Sequence, residues 1–154
     1  MSNSSKGEAA IPNPALDIFS ILIGEWNVVA KHRLLPDTTL HGHTSFEWLE
    51  GGAFIIMHSD VEEVGVPTTV AIIGSDDVKK EYYMLSFDER GVSRKSEMTL
   101  HDNVWKTWRD QPSFSQRFTG TISDDGSTIV GIWELSEDDA TWKLDLEQTY
   151  TRVK

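Results

Sequence analysis

From Gly24 to the C-terminus, apolar and polar residues alternate with a period of two. Gly, Asp, Asn and Pro interrupt that alternation every 8 to 14 residues or about that. This rhythm constrains the chain more than any other feature. A period of two is the signature of a strand, and connections this short can join only antiparallel neighbours, because a parallel return needs a crossover of about a dozen residues. Strands are expected at 25–34, 40–50, 53–62, 68–74, 81–88, 92–100, 104–109, 114–122, 127–135 and 141–152. Asp124-Asp125-Gly126 is the strongest hairpin signal, since its Gly supplies the positive φ that a tight turn requires. The spacing fits a sandwich or a barrel. One open sheet of about ten strands would expose two unpaired edges, and closure removes both. The expected fold class is therefore all-β, a closed antiparallel up-and-down barrel of about ten strands. Such a barrel is wider than the eight strands that side chains can just fill, so an internal cavity follows unless bulky rings occupy it.

A short N-terminal helical turn is expected to cap one end. Asn13 can serve as its N-cap with Pro14 at the first helical position, where a missing N–H costs nothing. Leu16, Phe19, Ile21 and Leu22 would lie over the barrel, and Gly24 would end the turn. Residues 1–12 are small and polar and read as a disordered tail, leaving 13–154 as a single domain. In the first strand Trp26, Val28, Ala30 and His32 share the face expected to point inward.

Composition narrows the partners. With 25 Asp and Glu against 14 Lys and Arg, the 154-residue chain carries a formal charge of −11, which repels phosphate backbones and anionic lipid. Neither nucleic acid nor a membrane surface is an expected partner. There is no cysteine, which excludes disulfides, thiolate metal sites and a Cys nucleophile. The first residues lack a secretory pattern and no segment reaches the ~20 apolar residues of a membrane helix, so a cytoplasmic location is expected.

Gly24-Glu25-Trp26 after a capping turn, and Tyr150-Thr151-Arg152 at the end of the last strand, resemble the lipocalin-like (calycin) superfamily. The segments Phe87–Arg94 and Phe114–Gly120 are also similar to bacterial lipocalin-like proteins of unknown function. The resemblance implies that Gly24, Trp26 and Arg152 close the barrel, with the Trp packed beneath the Arg. Nitrobindin-type haem barrels and fatty-acid-binding barrels are more distantly similar. The former take the haem iron on a His near the C-terminus. No His follows His101 here, so no haem, and no other cofactor, is expected.

The remaining candidates come from residues out of keeping with their faces. His32 shares a face with Val28 and Ala30, and His58 with Phe54 and Ile56; either could hydrogen-bond a ligand or move a proton near neutral pH. Arg94, in phase with Val92, Met98 and Leu100, calls for a carboxylate or an anionic ligand, with Glu134 as one possible internal partner. Gln116 lies between Phe114 and Phe118, and Gln148 between Leu146 and Tyr150. Phe46, Trp48, Tyr82 and Trp108 are expected as aromatic wall. In Tyr82-Tyr83 and in the Trp105/Trp108 pair one ring should face in and one out, and the phase is open. A homodimer would cover outward tryptophans. His41-x-His43 has chelating spacing, but inward Phe46 and Trp48 would turn both imidazoles to water, so no metal site is expected. The Asp pairs at 76–77, 124–125 and 138–139 fall in turns that explain them.

Three functions fit these residues: binding of a small, largely hydrophobic or amphipathic molecule, an isomerase, cyclase or hydrolase using a cavity His, or a filled barrel acting as an interaction module. Fold alone does not separate them.

Overall fold

The computed structural model describes residues 10–154. The strands are β1 (Gly24–His32), β2 (Leu40–Leu49), β3 (Phe54–Val61), β4 (Thr69–Ser75), β5 (Tyr82–Asp88), β6 (Ser93–His101), β7 (Val104–Arg109), β8 (Ser115–Ile122), β9 (Thr128–Ser136) and β10 (Lys143–Arg152). Each pairs antiparallel with the next, and β1 pairs with β10, so the meander closes into a barrel rather than a sandwich. Every strand begins and ends within two residues of its expected limits. Turn chemistry explains that agreement: Gly126 adopts φ 71° in the β8–β9 hairpin, and the Asp125 carboxylate accepts from the backbone N–H of Ser127.

A 3-10 helix, Pro14–Leu22, covers one end. The Asn13 side chain accepts from the N–H of Ala15 at 3.0 Å, and Leu16, Phe19 and Leu22 are fully buried. Of the expected tail, residues 1–9 lie outside the described residues. Ile11 and Pro12 sit against Gly51 and Gly52 at the β2–β3 turn, where the Asn13 N–H donates to the Gly52 carbonyl.

Beneath the helix the barrel is solid. Phe46, Ile55, Ile73, Met98, Phe118 and Ile129 are almost wholly buried, and Trp105 stacks edge-on against Phe118 at 4.8 Å and Phe46 at 5.8 Å. Gly120 and Gly131 face each other across β8 and β9. A Cβ on Gly131 would come within 2.5 Å of the Phe118 ring, so that ring rests on bare backbone.

The same end is fastened by Trp26 and Arg152, which are register partners in β1 and β10. The Arg152 guanidinium lies 4.2 Å from the indole centroid and donates to the carbonyls of Ile21, Ile23 and Gly126. Those at 21 and 23 are carbonyls that a helix end leaves unpaired. Trp26 donates its own N–H to the Leu22 carbonyl at 2.9 Å. Gly24, at φ 129°, has its missing Cβ position 2.7 Å from Arg152 Nη1, so both the conformation and the space require glycine.

Candidate functional site

The end opposite the helix is open. There the interior is a two-lobed cavity: one lobe of about 390 Å³ descends from the mouth to Trp105, Phe118 and Tyr150. The other, of about 450 Å³, lies against β1, β2 and β3 and is lined chiefly by Val28, Ala30, Leu40, Val61 and Leu146. Both share His32, Ser59, Pro67 and Gln148. Strand alternation brings these side chains together, because at this end the inward phase passes from large rings to smaller and polar residues.

His32 ends β1 at the mouth. Its Nδ1 accepts from the N–H of Leu34 at 3.1 Å, which leaves the ring proton on Nε2. That atom lies 3.4 Å from Asp145 Oδ1, which also accepts from Arg33 Nε at 3.2 Å. A register shift between Leu144 and Leu146 brings Asp145 to the rim of the cavity. Across the mouth, Asp88 accepts from Arg90 at 2.7 Å. The Arg90 guanidinium, aided by its backbone N–H, holds the Asp88 carboxyl down at about 2.

Deeper in, Arg94 donates to Gln116 Oε1 at 3.3 Å and lies over the Phe114 ring at 5.7 Å. Arg109, opposite Gln116 in the β7–β8 register, shares its inward phase and lines the same lobe. Gln148 Oε1 accepts from both Trp133 Nε1 and the Tyr150 hydroxyl, each at 3.1 Å. Burial pushes the Tyr150 phenol well above its ordinary value. The Trp105 side chain lines the floor, and its indole N–H is buried with no hydrogen-bond partner among the described residues.

His32, Arg94, Gln116 and Gln148 thus meet around one cavity, as their phases implied. Four other candidates require correction. His58 is exposed on the outer face of β3, because Ile55, Met57 and Ser59 take the inward phase. Trp48 is 38% exposed at the end of β2, beside a shallow outer depression with Glu25 and His43. Trp108 stands in the outward phase of β7 opposite Arg117 and reaches the cavity only at its rim, while Trp105 takes the inward place. Glu134 is no partner for Arg94: it faces out and accepts from Arg117 at 2.9 Å. Phe46 and Tyr82 do face inward, but within the filled end, where Tyr82 packs on Phe19 at 4.8 Å. His41 and His43 face outward, each beside a different carboxylate, Glu63 and Glu25.

Arg109, Trp133 and Asp145 were not among the sequence candidates, and Trp105 was one of a pair whose phase the sequence left open. Arg109 carries the signal that singled out Arg94, a cation in phase with buried residues, here Trp105 and Thr107. It became visible only with the phase of β7. Asp145 reaches the rim beside a register shift, which strict alternation does not foresee.

No protein-family model and no curated protein matches the chain. Solved structures do. Rv2717c from M. tuberculosis is similar with a TM-score of 0.65 at 12% identity, over 92% of this chain and 98% of that one. The S-type phycobiliprotein lyase CPES from Guillardia theta is similar with a TM-score of 0.58 at 10% identity, over 90% and 92%. At these identities the likeness is one of fold alone, here a closed ten-stranded antiparallel barrel.

Proposed function

We propose that the barrel binds a small, largely apolar molecule in the cavity at its open end. The observation that carries this reading is the contrast between the barrel's two halves. One is packed solid beneath the helix; the other leaves a cavity with one chiefly apolar lobe, along Val28, Ala30, Leu40 and Leu146, and one in which Met57, Met84, Phe118 and Trp133 alternate with polar side chains. Apolar walls with a small number of placed polar groups are the usual make-up of a ligand pocket. Binding is favoured over acid–base catalysis by the state of His32. Its Nδ1 is taken by Leu34 and its Nε2 faces Asp145, whereas a general base needs a free lone pair directed at substrate.

Native mass spectrometry of protein purified from its host, set beside the denatured mass, tests the proposal. A persistent extra mass that a Ser96→Trp variant, filling the cavity from β6, no longer carries is the expected result. A clean apo mass, with no thermal shift across a panel of lipids and metabolites, would overturn it.

A further inference from the structure

Several polar groups deep in this cavity can only donate, and they identify what the occupant must offer. An indole N–H and a guanidinium can only donate. The amide atom of Gln148 that meets Trp133 is therefore its oxygen, as is the atom of Gln116 that meets Arg94. Both glutamines spend their acceptors within the wall. Their amide NH₂ groups, and the buried N–H of Trp105, have no acceptor among the described residues.

Charge points the same way. The carboxylates at the mouth already have cations: Asp145 has Arg33, and Asp88 has Arg90. Arg94 and Arg109 have no carboxylate within ion-pair distance among the described residues, although the chain holds 11 more acidic than basic side chains. Both guanidiniums are half-buried and face the cavity without a counter-charge. An acceptor-rich anion entering there gains charge-assisted hydrogen bonds from both.

We infer that the ligand is an amphipathic organic anion, a carboxylate, sulfonate or phosphate ester, whose head group is held by Arg94 and Arg109 beside Gln116. Its apolar body lies on Phe118, Trp133 and Met84. This rests on the cavity-binding reading above, and it adds Arg109 as a specificity-determining residue. Gln116 accepts from Arg94 and is the register partner of Arg109, which places all three side chains on the same stretch of wall.

Two fluorescent probes with the same aromatic body separate the inference from the reading beneath it: 1-anilinonaphthalene-8-sulfonate, an anion, and N-phenyl-1-naphthylamine, which lacks the sulfonate. The wild-type protein is expected to bind the sulfonate at least tenfold more tightly. Arg94→Met and Arg109→Met should each weaken the sulfonate about tenfold or more while shifting the neutral probe less than about twofold. Arg94→Lys and Arg109→Lys, which keep the charge, should recover part of the loss, and an unchanged far-UV spectrum and melting temperature exclude misfolding as its cause. If the neutral probe binds and neither methionine variant discriminates against the sulfonate, the anion inference is overturned while the cavity stands. If neither probe binds, or if Ser96→Trp leaves binding of both unchanged, the cavity reading fails and the inference with it.

Discussion

Arg152 sits over the indole of Trp26 and, through the carbonyls of Ile21, Ile23 and Gly126, joins the helix, the β8–β9 hairpin and the last strand. Arg152→Met keeps the aliphatic stem but leaves three carbonyls without their donor. It is expected to cost about 2–4 kcal/mol, read as a lower urea midpoint at unchanged slope. Gly24→Ala should cost about 1–3 kcal/mol, because a Cβ there meets Arg152 at a backbone angle unsuited to other residues. A midpoint unmoved by either change would show that the β1–β10 ladder alone closes the barrel.

Two buried tryptophans differ in whether the indole N–H is satisfied, and their phenylalanine variants compare the two cases. The Trp26 N–H is satisfied by Leu22, whereas the Trp105 N–H has no partner among the described residues. Both substitutions remove similar volume, but only Trp26→Phe strands a buried carbonyl. It should be the more destabilising by about 1–3 kcal/mol. Equal losses in chemical denaturation would mean that the Trp105 N–H is paired in solution.

The ring of Phe118 occupies the space that side chains on Gly120 and Gly131 would need. Gly131→Ala should therefore destabilise by about 1–3 kcal/mol through overpacking. In the Phe118→Leu background the same change should cost markedly less, and a double-mutant cycle measures the coupling. Additive effects would show that backbone conformation at position 131, rather than contact with the ring, sets the cost.

Acid stability should depend on turn carboxylates. Asp138 is lowered from 3.8 to about 2, first by the N–H groups of Thr141 and Ala140, which it accepts at 2.6 and 2.9 Å. A folded value below the ordinary one means the native state takes up the proton less readily than the unfolded chain. The stabilisation is then whole above about pH 4 and fades as pH falls towards 2. The urea midpoints of wild type and Asp138→Asn should differ most near neutrality and converge near pH 2. A gap that stays constant with pH would assign the effect to the geometry of the asparagine instead.

The architecture was legible because strand ends are local events. Asp124-Asp125-Gly126, Leu35-Pro36 and Gly51-Gly52 stop the alternation within a residue or two, and closure follows from strand number. Which way a strand faces is not local when both phases are apolar. In β3, Ile55 and Ile56 are equally good interior residues, and the register with β2 and β4 decides between them, turning His58 out. In β7 the choice between Trp105 and Trp108 was made by neighbours: Gly120 opposite Trp105 leaves room for a ring inside, whereas Arg117 opposite Trp108 belongs to the outer surface with Glu134 and Trp142. Arg94, Gln116 and Gln148 were legible because each lies in a strand with only one apolar phase.

Because the Trp26–Arg152 fastening and the solid core lie at one end and the cavity at the other, the segments at 33–39, 62–68, 89–92, 110–114 and 137–142 surround the mouth away from that fastening. Changes far apart in a structure tend to act independently. A division of labour follows along the barrel axis. The rim can be rewritten, in length or in chemistry, to admit a different occupant while the far end continues to hold the chain shut, so this scaffold is open to re-engineering from the top down.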